Sequence, residues 1–116
     1  MFKETDIIST YTSQQAINDG YLVDMTIIPQ FAKSIVNYIT TGLMNKGYMT
    51  EQPDRTVKFN IPNLMDLYFA ITVTMRRKPK DWFYSLKIQL PSGAQQQIFV
   101  AQNETSRYTA MLPGEY

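Results

Sequence analysis

The chain contains no cysteine and no histidine. The first absence excludes disulfides, thiolate nucleophiles, zinc–thiolate sites and iron–sulfur clusters. The second removes the usual general base, the commonest nitrogen ligand for metals and the usual pH switch near neutrality. Any enzyme mechanism would have to run on carboxylates, lysine or tyrosine alone, each needing unusual pKa tuning. The sequence therefore reads as non-enzymatic, with no catalytic residue, no metal site and no cofactor. Net charge is also scarce: 11 Lys and Arg against 10 Asp and Glu leave +1, so global electrostatics select no partner. No apolar run approaches the ~20 residues that span a bilayer. The opening Met1-Phe2-Lys3-Glu4-Thr5-Asp6 carries no apolar signal-peptide region. These absences predict a cytoplasmic protein without a membrane partner.

What is present fits one folded unit. The 116 residues are 44% apolar and only 18% charged, too apolar for a disordered chain and enough for one domain, 1–116, with one core. The most ordered stretch is Asn60 to Lys78. Ile61, Leu64, Met65, Tyr68, Ile71, Thr72 and Met75 recur at helical spacing and predict one buried face. Asn60 suits the N-cap and Pro62 the first turn. Arg76, Arg77 and Lys78 favour the negative end of the helix dipole, and Pro79 stops the helix. A second apolar set, Leu67, Phe69, Ala70 and Val73, predicts that this helix is covered on more than one side.

Upstream, Thr12 with Gln15 is a capping-box pattern. It predicts a short helix ending at Gly20, with Tyr11 stapled to Ala16. Tyr21 to Met25 reads as extended, with Leu22 and Val23 inward. Residues 28–45 admit two readings. One is a single helix with a stripe of Ile28, Phe31, Ala32, Ile35, Ile39 and Leu43. The other breaks at Thr40, because the β-branched run from Ile35 to Thr41 disfavours helix and Thr40 can cap a separate one. Glu51 to Asp54 is a turn, and Arg55 to Phe59 alternates as a strand. Three strands follow. Trp82, Tyr84, Leu86, Ile88 and Leu90 line one face of the first, Gln96 to Gln102 forms the second, and Arg107 to Leu112 the third. Their short connections predict an antiparallel meander. The expected class is α+β: two to three helices packed on one face of a three- to four-stranded antiparallel sheet with a C-terminal β-meander. Phe83, Phe99 and Met111, on the second sheet face, would permit a symmetric dimer, so the expectation is monomer or homodimer.

Chemistry concentrates in one segment. Residues 76–81 carry four cations, Arg76, Arg77, Lys78 and Lys80, against one carboxylate, Asp81, and Trp82, Phe83 and Tyr84 follow at once. This set suits a protein interface, where Trp, Tyr and Arg carry much of the binding energy. It also suits nucleic acid, with phosphates on the cations and bases on the rings. A third reading makes Trp82 and Tyr84 core residues at a sheet edge. Asp19 and Asp24 are close in sequence but match no ligand-spacing motif. Asp66 reads as a solvated or weakly paired flank residue.

The run Tyr11-Thr12-Ser13-Gln14-Gln15-Ala16-Ile17-Asn18-Asp19-Gly20-Tyr21-Leu22-Val23-Asp24 resembles the opening of a family of small proteins of unknown function. That family is widespread in phage, plasmid and other mobile-element genomes of bacteria, and its usual opening is Tyr-Ser-Arg-x-x-Ala-Ile-x-Asp-Gly-Val-Leu-Val-Asp. Met65-Asp66-Leu67 resembles its Trp-Asp-Val/Leu helical segment. The tail from Tyr108 to Glu115 resembles its closing apolar strand with Pro and Glu. The chain departs from the pattern at Tyr21, where a small apolar residue is usual, and through residues 27–48. In the family that region looks like two pieces, which favours the break at Thr40. The resemblance brings no catalytic residues. It implies a small phage or mobile-element protein in a bacterial host cell that acts by binding, for example by inhibiting a defence complex such as CRISPR-Cas. The expected partner is a bacterial protein or protein complex, with nucleic acid as the alternative.

Overall fold

The computed structural model describes residues 19–54 and 56–115. The capping box at Thr12 and the Tyr11–Ala16 staple lie outside them. Gly20 has φ +82, the left-handed region that favours glycine. The described residues form seven strands: β1 (Leu22–Asp24), β2 (Val36–Thr40), β3 (Met49–Glu51), β4 (Val57–Phe59), β5 (Phe83–Gln89), β6 (Gln95–Gln102) and β7 (Tyr108–Met111). Two α-helices, α1 (Thr41–Met44) and α2 (Ile61–Arg77), interrupt them. The main sheet has five strands in the order β1-β2-β7-β6-β5, and β3 pairs with β4 as a separate hairpin.

The expected C-terminal meander is present: β5 pairs antiparallel with β6, and β6 with β7. The sheet around it is larger than expected and mixed. β2 runs parallel to β7, and β1 is antiparallel to β2. The helix content is also lower than expected, with one long helix and one of four residues in the described chain.

Residues 28–45 do not form a single helix. Asp24 Oδ1 accepts from the Thr26 amide at 2.9 Å and starts a short 3-10 turn, Met25–Ile27. A second, Pro29–Phe31, follows, and the chain then extends as β2. The β-branched run prevails because β2 sits between β1 and β7, where Val36, Asn37, Ile39 and Thr40 are all buried. Thr40 then caps α1, its hydroxyl accepting from the Leu43 amide at 3.3 Å. Of the six stripe residues Ile28, Phe31, Ile39 and Leu43 are nonetheless buried, each delivered by a different local structure, whereas Ala32 is half-buried and Ile35 is 45% exposed.

α2 begins as expected: the Asn60 side chain accepts from the Asn63 amide at 3.0 Å, and Pro62 lies in the first turn. Its buried residues are Leu64, Leu67, Tyr68 and Ile71. They meet Val36, Ile39, Tyr84, Ile98, Val100 and Ala110 in one apolar cluster. Tyr68 joins helix to sheet twice. Its hydroxyl donates to the Val36 carbonyl at 2.8 Å, and its ring stacks on Phe31 at 4.4 Å. Two expected core positions are not core. Met65 is 55% exposed and Phe69 72% exposed. Each lies one residue, about 100° of helical rotation, beyond a buried neighbour, and no element covers that flank among the described residues.

On the second sheet face Met111 is buried, and Phe83 and Phe99 are half-buried, meeting edge to face at 4.9 Å. These three are therefore not the open apolar surface expected for a dimer. No helix among the described residues is long and apolar enough to cross a membrane.

Candidate functional site

The cationic segment leaves the C-terminal end of α2 and enters β5. There a cleft of about 630 Å³ opens, lined by Ser34, Ile35, Thr72, Met75, Arg76, Lys78, Lys80, Tyr84 and Tyr108. α2 supplies Thr72, Met75 and Arg76 at i, i+3 and i+4, one wall of a helix. The residues before β2 supply Ser34 and Ile35. The loop after α2 supplies Lys78 and Lys80, and the floor is Tyr84 and Tyr108 from the sheet.

The segment is divided by its own geometry. Arg76, Lys78, Lys80 and Tyr84 share the cleft, whereas Arg77, Trp82 and Phe83 are not among its lining residues. Arg77 is one residue past Arg76 and projects from another side of the helix. Phe83 and Tyr84 are neighbours in β5, so their side chains take opposite sheet faces. Phe83 goes with Phe99, and its ring centroid lies 5.5 Å from that of Trp82. Tyr84 faces the core and is 4% exposed; Trp82, just before the strand, is 58% exposed.

Two tyrosine hydroxyls hold the loop between Lys78 and Trp82. Tyr84 Oη accepts from the Asp81 amide at 2.9 Å and donates to the Pro79 carbonyl at 3.3 Å. Tyr108 Oη donates to the Asp81 carbonyl. The Asp81 carboxylate accepts from the Trp82 amide at 2.7 Å and so turns back onto its own backbone. Among the described residues, no hydrogen bond or ion pair engages the side chains of Arg76, Lys78 or Lys80. The result is three cations with no carboxylate lining their cleft, Arg76 on the end of α2 and Lys78 and Lys80 on a loop fixed from beneath. Burial, and next the neighbouring Tyr84, push the Tyr108 phenol above its ordinary value, so it stays neutral and able to donate.

Sequence reasoning found the cations but not Tyr108, Ser34 or Ile35. These come from residues far apart in the chain that meet only because β2 lies parallel to β7. A backbone bond from the Tyr108 amide to the Ile35 carbonyl, 2.9 Å, closes that junction. Arg107 reinforces it by donating from Nε to the Ser34 carbonyl at 2.9 Å and from Nη2 to the Ala32 carbonyl at 3.0 Å. Its charge is therefore part of the scaffold and not of the cleft.

The other candidates resolve differently. Asp24 Oδ1 is occupied by the Thr26 amide and hydroxyl, the latter at 2.6 Å. Asp66 lines a smaller cavity of about 300 Å³ with Tyr48, Asn63, Gln89, Leu90, Pro91 and Gly93. Its charge adds to burial in raising the Tyr48 phenol. Among the described residues no group of three Asp or Glu side chains is placed to hold a metal ion. Comparison with protein-family models, curated proteins and solved structures finds no match to this chain.

Proposed function

We propose that this chain is a non-enzymatic interaction protein that binds an acidic surface of a partner protein through the cleft at the end of α2. The observation that carries this reading is the set of three cations that no carboxylate of the cleft neutralises, Arg76 in the last turn of α2 and Lys78 and Lys80 on the following loop, which Tyr84 and Tyr108 pin. Cationic side chains carried on a helix end and a fixed loop backbone bind an anionic partner with less ordering cost than the same side chains on a mobile loop. The sequence resemblance supplies the setting: a phage or mobile-element protein that blocks a bacterial defence complex, such as CRISPR-Cas, by direct binding.

The nucleic-acid reading is weaker on one point. Single-strand binding combines cations with successive exposed rings. Here Tyr84 is buried and Phe83 packs on the other sheet face, leaving Trp82 as the exposed ring of the 76–84 segment.

The test is affinity capture from bacterial lysate with the wild-type chain and with a triple Arg76→Ala, Lys78→Ala, Lys80→Ala variant of matched stability. The expected result is a protein partner retained by the wild type and lost, by tenfold or more in affinity, from the variant. A partner held equally by both proteins refutes the assignment. Binding to a single-stranded oligonucleotide that needs no protein and falls steeply with salt transfers it to the nucleic-acid reading.

A further inference from the structure

Met65, Phe69, Thr72 and Arg76 follow the i, i+4, i+7, i+11 spacing and so form one continuous stripe along α2. Its lower half, Thr72 and Arg76, is a wall of the cleft. Its upper half is bare: Phe69 and Met65 are the most exposed apolar side chains of the helix. The stripe therefore changes character along its length, from apolar at Met65 and Phe69 to cationic at Arg76, and Lys78 and Lys80 extend the cationic end. Phe69 and Arg76 are seven residues apart, about 10 Å along the axis. Exposed single apolar residues are ordinary. Two that align on one flank and run into an unneutralised cationic cleft are a surface with a defined polarity.

Resting on the reading of the cleft as the binding site, we infer that the partner element is an amphipathic helix, acidic in its first turn, that docks antiparallel to α2 on this flank. The antiparallel direction follows from two charges. The carboxylates must lie over Arg76, Lys78 and Lys80, at the C-terminal end of α2. Carboxylates are themselves favoured in the first turn of a helix, where the dipole is positive. A helix entering with its acidic N-terminus at the cleft then carries its apolar residues, about two to three turns later, over Phe69 and Met65. Helix-in-groove recognition uses i, i+4 and i+7 anchors of this kind. Phe69 is the aromatic anchor, and truncating such an anchor usually removes at least 1–2 kcal/mol of binding, roughly tenfold or more in affinity.

The test selects partners without assuming one. A displayed library of random peptides, about three turns to six turns long when helical, is panned against the wild-type chain. Winners are then measured on three proteins: wild type, Phe69→Ser, and the Arg76, Lys78, Lys80 triple alanine variant. The expected winners carry Asp or Glu in the first turn and apolar residues at helical spacing after it. Their affinity falls tenfold or more on Phe69→Ser and on the triple variant, and circular dichroism shows helix gained on binding. Winners that lose affinity on the triple variant but not on Phe69→Ser overturn this inference and leave the cleft reading intact. Winners indifferent to the triple variant overturn both. Winners without the acidic first turn, or a library that yields none, overturn the helix assignment, while capture of a cation-dependent protein partner would still stand.

Discussion

Tyr68, Tyr84 and Tyr108 illustrate at the residue scale how aromatic composition understates what a side chain does. Each buries a ring and spends its hydroxyl on a backbone group. Replacing Tyr68 by Phe removes the bond to the Val36 carbonyl and should cost about 1 kcal/mol, the usual net worth of such a bond. The same residue makes stability sensitive to alkali. Burial raises its phenol above the ordinary value of 10.0, so the folded state holds that proton more tightly than the unfolded chain does. The contribution is complete below about pH 10 and is lost as pH rises above it toward the folded-state value. Tyr108 shifts the same way and adds to the loss. Urea midpoints at about pH 8 and about pH 11 check this, with Tyr68→Phe less stable at the lower pH but losing less between the two. An equal loss in both proteins would show that burial of Tyr68 is not the cause. Tyr84→Phe offers a second, local readout. It removes the acceptor for the Asp81 amide, which should exchange with solvent faster by tenfold or more while the strand amides of β6 hardly change. Unchanged exchange at Asp81 would mean that the loop bearing Lys80 does not depend on its tyrosine pin.

At the scale of elements, what could be read from the chain depended on whether the cause was local. The cap at Asn60, the start of α2 and the alternation of β5 are local, and residue spacing reports them directly. Residues 28–45 carry a helical stripe and a β-branched run at once. The conflict was settled by β7, which arrives some seventy residues later and gives Val36 and Ile39 a parallel partner. The exposed flank of α2 was missed for a related reason: spacing marks Met65 and Phe69 as apolar but does not say how wide a strip the sheet can cover. The same distance effect hides a latch at α1. Glu115 Oε1 accepts from the Thr40 hydroxyl at 2.6 Å and from the Leu112 amide at 3.0 Å, tying the C-terminal turn to the cap of α1. A Cβ at Gly42 would fall on that carboxylate. Gly42→Ala should therefore displace Glu115 and cost about 1 kcal/mol, although alanine is the better helix former. Glu115→Ala should cost a similar amount. In the Glu115→Ala background, Gly42→Ala should become neutral or stabilising, because the clash has gone and only propensity is left. Denaturation of the four proteins in the cycle measures this, and additive costs would show that the two residues act independently.

At the scale of the whole molecule, the sheet order makes β7 the strand on which the fold depends. It lies between β2 and β6, its four residues are all buried, and it joins the first half of the chain to the meander. β5 and β6 could pair without it, but β1 and β2 would then have no sheet to join. A side-chain network secures the same junction. Asn103 Nδ2 donates to Asn37 Oδ1 at 2.9 Å and to the Thr109 hydroxyl at 3.0 Å, where β2 shifts register against β7. The β3–β4 hairpin stands outside this arrangement. It is a separate two-stranded pair in which Thr50, Glu51, Val57 and Lys58 are exposed, and such pairs are marginal when alone. The molecule should therefore open in two steps of unequal cost. The Gln52 amide, bonded to the Thr56 carbonyl at 2.7 Å, should exchange through local opening of the hairpin. The Tyr108 amide, bonded to the Ile35 carbonyl at 2.9 Å, should exchange only when the sheet comes apart. Native-state hydrogen exchange in increasing denaturant separates the two. Tyr108 should follow the global unfolding curve, whereas Gln52 should exchange at a lower free energy, by at least about 1 kcal/mol, with little denaturant dependence. Equal protection at both amides would make the hairpin part of the same cooperative unit as β7, and the division drawn from the sheet order would fail.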